Sequence, residues 1–135
     1  MTELLAATTI TAPVTAQIGP TVTFNARPKN LAIQGKFTFG SGGTNATVWI
    51  QTSLDGGLTW VDVCCLQFLV ASLRVIANLS ANTPKTTPAT ATDGSLTANT
   101  SVDGILGNKF RTKLTTTGTY AGGTTLAVDI AQDQV

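Results

Sequence analysis

Histidine is absent from this chain of 135 residues. Its absence removes the general base of a Ser-His-Asp or Cys-His machine and the nitrogen ligand of most protein zinc sites. Cysteine is nearly absent. The only two, Cys64 and Cys65, are adjacent, so on a strand their side chains point to opposite faces and could bridge each other only through a strained ring. They are expected to serve as small buried hydrophobes, with a bridge between subunits as the functional alternative. Charge is scarce as well. Charged residues make up 11 % of the chain with a net charge of +1, against the ~25 % usual in soluble domains, and no global field draws it to nucleic acid or anionic lipid. Carboxylates are too few and too scattered for a glycosidase pair, and no Gly-x-Ser-x-Gly elbow is present. The longest mostly apolar stretch, 61–71, contains Asp62 and Gln67 and falls short of the ~20 residues of a membrane span. Residues 1–7 lack a positive n-region and are not read as a secretory signal. Together these absences lead to the expectation of a soluble protein made in the cytosol, with no catalytic residues, no cofactor and no metal.

What is present favours strands. Hydrophobic residues amount to 42 %, and roughly one residue in five is Thr, which with Val and Ile suits a pleated surface better than a helix. The length fits one domain. Residues 1–28, punctuated by Pro13, Pro20 and Pro28, read as an extended N-terminal arm or a run of edge strands. Residues 29–135 read as the body. There Leu31, Ile33, Phe37 and Phe39 alternate with polar neighbours, and Gly35 falls on the apolar face, where it signals a bulge or a close approach. The nearly continuous apolar text from 60 to 79 predicts two central strands, with a helix over 63–78 as the competing reading. Strands are also expected over 109–117 and around Leu126, Val128 and Ile130. Between them, residues 80–104 hold almost no large apolar side chain. So long a connection is expected to be a surface excursion that becomes ordered against a partner, with turns at Asp93-Gly94 and Asp103-Gly104. The fold class is therefore an all-β, antiparallel β-sandwich or jelly-roll-like single domain with an extended N-terminal arm and one long loop.

One stretch is more specific. Ser53-Leu54-Asp55-Gly56-Gly57-Leu58-Thr59-Trp60 lies between two apolar runs and predicts a hairpin tip. The pattern Ser-x-Asp-x-Gly-x-Thr-Trp resembles the Asp-box of sialidases and other β-propeller proteins. The resemblance implies that Ser53, Asp55, Gly57 and Thr59 tie the turn while Trp60 packs beneath it. A propeller itself does not fit, because this length allows about three blades and at least four are needed. Lys109, Arg111 and Lys113 share one face of a strand and could touch an acidic partner, or form a solvated face that guards an edge. Trp49, on the other face of its strand from Val48 and Ile50, is the aromatic best placed to meet a partner or a sugar.

The stretches 48–63 and 104–113, with Thr117-Gly118-Thr119-Tyr120, resemble small β-sandwich structural proteins of tailed bacteriophages and prophages. That resemblance implies a virion component. It would be a homo-oligomeric capsid decoration, or cement, protein bound to the major capsid protein, or else a head-to-tail connector, neck or tail component. The rival from another class is a carbohydrate-binding β-sandwich with Trp49, Trp60 or Tyr120 as its stacking platform.

Overall fold

The computed structural model describes residues 2–133. Among them every regular element is a strand: β1 (Thr2–Thr9), β2 (Gln17–Ile18), β3 (Val22–Thr23), β4 (Asn30–Thr38), β5 (Ser41–Gly42), β6 (Asn45–Ser53), β7 (Val61–Phe68), β8 (Leu73–Ser80), β9 (Thr100–Ser101), β10 (Lys109–Thr117), β11 (Tyr120–Ala121) and β12 (Thr125–Gln132). Period-2 alternation sets which side faces in. In β4, Leu31, Ile33, Gly35 and Phe37 are buried between exposed or half-buried neighbours, and in β10 Phe110, Thr112, Leu114 and Thr116 are buried likewise.

The strands form two main antiparallel sheets, a β-sandwich, with β5 and β11 paired in a separate two-stranded ladder. The first has the order β1-β12-β4-β8; the second runs β2-β10-β6-β7-β9, with β3 also paired to β10. Leu31, Ile33, Phe37, Val128 and Ile130 from the first sheet meet Val48, Ile50, Leu66, Phe68, Phe110 and Leu114 from the second in one core. Gly35 marks a close approach rather than a bulge, since β4 keeps an unbroken register with β8 and β12 through it. A Cβ there would lie 2.8 Å from Leu66 Cδ1 and 3.0 Å from Phe68 Cζ. The missing side chain lets Phe68 lie flat on Phe37, ring centroids 5.2 Å apart, while Tyr120 meets Phe37 edge-on at 5.6 Å. Tyr120 in turn needs glycine at position 43, whose φ is +69° and where a side chain would run into the Tyr120 ring.

The N-terminal segment supplies edge strands, the second of the two readings of residues 1–28. β1 pairs with β12 along its length and buries Leu4, because apolar side chains at 4 and 10 find room at the rim of the core. The chain then crosses to the second sheet and follows β10: Thr116 N–H donates to Val14 O, Gly19 N–H to Thr112 O and Phe24 N–H to Asn108 O. Pro20 cannot donate to a ladder, and this edge is accordingly broken into β2 and β3.

Residues 63–78 form β7 and β8, not a helix. The expectation of two central strands holds for β7, where Asp62 through Leu66 are all buried. It fails for β8. The chain changes sheets after Phe68, which leaves β8 bonded to β4 alone at the edge of the first sheet, with Ile76 on its outer face.

Cys64 and Cys65 are both buried and free. Burial pushes their thiols up to about 12 and about 11. For Cys65 the thiolate fraction at pH 8 is then about a hundred-fold below that of an ordinary cysteine. Native protein is expected to resist a thiol reagent that modifies both cysteines in urea. Rapid native labelling at pH 8 would show that these residues are not closed in as described.

Candidate functional site

The β6–β7 hairpin closes on itself. Ser53 Oγ accepts from Gly57 N–H at 2.8 Å and donates to Asp55 Oδ1 at 2.9 Å. Asp55 in turn accepts from Thr59 N–H at 2.8 Å and from the Thr59 hydroxyl at 2.6 Å. Gly56 and Gly57 supply φ of +74° and +99°, values that L side chains rarely adopt. The Thr59 hydroxyl, followed by the Thr59 amide, holds the Asp55 carboxyl down at about 2. Because the folded pKa lies below the ordinary aspartate value, this stabilisation is complete above about pH 4 and fades as the pH falls towards about 2. Asp55→Asn is expected to flatten the acid limb of a melting-temperature profile across that window. Asp93, also held low, keeps its own share. An unchanged acid limb in the variant would remove Asp55 from the account.

Behind the hairpin, the outer face of the second sheet carries a polar clamp that grips the long loop. Its centre is Asp62. Register slips by one residue between Ile50 and Gln51, so that Asp62 opposes Gln51 while Cys64 opposes Ile50. Strict alternation would send residues 62 and 64 to the same side. This bulge turns the Asp62 carboxylate away from the core. Asp62 Oδ2 accepts from the backbone N–H groups of Gly94, Ser95 and Leu96 at 2.8, 3.0 and 3.1 Å, and Oδ1 accepts from Gly94 N–H at 2.9 Å and Gln51 Nε2 at 2.8 Å. Gln51 Nε2 also donates to Asp93 Oδ1, which takes a second bond from Lys113 Nζ at 2.7 Å. Gln51 Oε1 accepts from Arg111 Nε at 2.9 Å. The Lys113 ammonium pulls Asp93 below the usual carboxylate range. Further along the loop, Val102 N–H donates to Val63 O and Ser80 N–H to Asp103 Oδ1.

This arrangement corrects two expectations. The excursion over 80–104 is tied to its own sheet through these bonds and needs no partner to hold them. The basic row is not a free contact surface: Arg111 lies 4.3 Å over the Trp60 ring, Lys113 is paired with Asp93, and Lys109 Nζ donates to Thr23 Oγ1. Trp49 is engaged too, its indole N–H donating to Leu96 O at 3.0 Å. Trp60 is half-buried beneath Arg111 and lies outside the core cluster. Gln51 was not singled out by sequence reasoning, Asp93 was read only as a turn residue, and Asp62 was seen only as a strand carboxylate. A lone acid inside an apolar run does signal a need for donors, but those donors lie more than thirty residues away.

Two open surfaces stand out among the described residues. Between the hairpin and the loop lies a cleft of about 490 Å³, walled by Leu54, Trp60, Val61, Leu96, Val102 and Ile105. Asp62 lines it as well, but its carboxylate oxygens are already taken up by the clamp. The second surface is the outer face of the first sheet, a shallow trough floored by Ala32, Ala131 and Ile76 and edged by Asp129 and Asn78. No protein-family model, curated protein or solved structure matches the chain.

Proposed function

We propose that this chain is a non-enzymatic structural protein of a tailed-phage virion, a capsid decoration protein whose partner is the major capsid protein. The observation that carries the reading is the unequal treatment of the two outer faces. Asp62 and its neighbours seal the second sheet beneath the chain's own loop, while the first sheet is left bare, shallow and rich in alanine. Small side chains in the trough let a flat protein surface come close, and the Lys36–Asp129 pair beside them meets that surface already matched in charge. Strand order also supports it. With β2 and β3 counted as one interrupted strand and the two-residue β5, β9 and β11 set aside, the sheets run first-eighth-third-sixth and second-seventh-fourth-fifth. That alternation is the order expected of a jelly roll, an architecture used by viral capsid and lectin domains, and it supports that reading of the sandwich.

Co-expression with the major capsid protein and the neck and tail proteins of the genome that encodes the chain tests the reading. Shells purified from such cells are expected to carry the chain in fixed stoichiometry, and Ile76→Asp or Ala32→Glu on the bare face to strip it off. Recovery on necks or tails instead would move the protein to those parts of the virion; recovery on neither would overturn the proposal. A glycan-binding role is the second reading, favoured by the Trp60 ring in the cleft wall. Saturable sugar binding lost in Trp60→Ala would establish it.

A further inference from the structure

Seven large apolar side chains are exposed among the described residues, and five of them fall into two groups at opposite ends of β7. At its start stand Leu54 and Leu58, 63 % and 85 % exposed; just past its end stand Leu69, Val70 and Leu73, 56 %, 53 % and 51 % exposed. An eight-residue strand sets the groups roughly 25 Å apart. The groups differ in shape. Leu54 of the first group lines the cleft between hairpin and loop, a socket. The second group is the turn between β7 and β8, a knob, tied at one shoulder through its backbone and at the other through a side chain: the Tyr120 hydroxyl donates to Leu69 O at 2.8 Å, and Phe39 N–H donates to Ser72 Oγ at 2.9 Å.

We infer that copies of this chain associate head to tail, the Leu69–Leu73 turn of one copy seating in the cleft between hairpin and long loop of the next. The socket suits aliphatic side chains, because its walls are mainly apolar and its one carboxylate is spent on the clamp. Charge agrees with the same pairing: exposed Arg74 follows the knob, and exposed Asp55 follows Leu54 of the socket wall in the chain. A turn held rigid before contact loses little entropy on docking. Knob and socket are different surfaces, so the contact is heterologous and continues into a ring or a filament instead of stopping at a dimer. Three seated side chains bury far less than the ~800 Å² per partner of a stable complex. The contact is therefore weak between free copies and gains strength where many are held side by side.

Sedimentation of the full chain tests this. Average mass is expected to rise with concentration into the millimolar range and pass beyond the dimer. Val70→Lys, on the knob, and Leu54→Lys, on the socket, are each expected to lower association about ten-fold or more. Both positions are more than half exposed, so melting temperature should hold and serve as the control for folding. Mixing the two variants is the decisive step: one intact knob and one intact socket remain, giving a one-to-one dimer and nothing larger. A wild-type chain that stays monomeric, association that neither variant weakens, or a mixture that fails to pair would each overturn the inference. None of these results bears on whether the chain is found on capsids.

Discussion

Asp62→Ala is expected to lower the stability of the protein by about 3–5 kcal/mol, the cost of stripping the acceptor from one buried and three part-buried donors at once. For a chain of this length that is a fall of roughly 10–20 °C in melting temperature. The side chain is 1 % exposed, and its two oxygens collect the N–H groups of Gly94, Ser95 and Leu96 together with the Gln51 amide. Without the carboxylate those donors face an apolar methyl. Asp62→Asn separates geometry from volume: whichever way the amide is turned, its NH2 group faces donors, and most of the loss is expected to remain. The damage should also be local in a way a core defect is not. Lys85 is exposed within the loop that Asp62 clamps, and tryptic cleavage there is expected to accelerate in both variants more than global unfolding alone accounts for. A variant that melts like wild type, or loses stability with no change at Lys85, would deny the clamp its role.

Phe68→Ala is expected to cost a similar amount, about 3–5 kcal/mol, towards the upper end of that range. Phe68 is 1 % exposed and stacked on Phe37. The void left behind borders Gly35, which has no side chain to lean into it, so the site can collapse only by moving β4. The same geometry predicts a coupling. Gly35→Ala alone overpacks the core against Leu66 and Phe68 and should destabilise by about 1–3 kcal/mol. In the Phe68→Ala background the added methyl has room, and its cost should shrink or reverse, an interaction of about 1–2 kcal/mol read from a double-mutant cycle of denaturant melts. Additive losses would mean that the two positions do not share the space described.

The parts of the molecule legible beforehand were those written in neighbouring residues. The Asp-Gly-Gly tip with Ser53 and Thr59 holds itself together by bonds spanning two to four residues, so nothing distant is needed to read it. Leu31, Ile33 and Phe37 declare their buried face by spacing alone. The candidate surfaces were read less well, because what occupies a side chain is decided by whatever lies across from it. Lys109, Arg111, Lys113 and Trp49 look free on their strands and are engaged by Thr23, Gln51 with Trp60, Asp93 and Leu96. A single extra residue in β7 turned Asp62 outward, and no period-2 reading of 61–68 shows where the alternation slips.

By itself, then, the sequence determined an all-β chain without histidine chemistry, the buried faces of β4, β6, β10 and β12, and the hairpin at 53–60, since alternation and turn chemistry act over a few residues. Only the tertiary structure decided that β8 is an edge, that the long loop lies sealed against its own sheet, and that one outer face and one cleft stay open. Those outcomes depend on which sheet each crossing of the chain enters, and so on contacts between residues remote in the chain that no local pattern encodes.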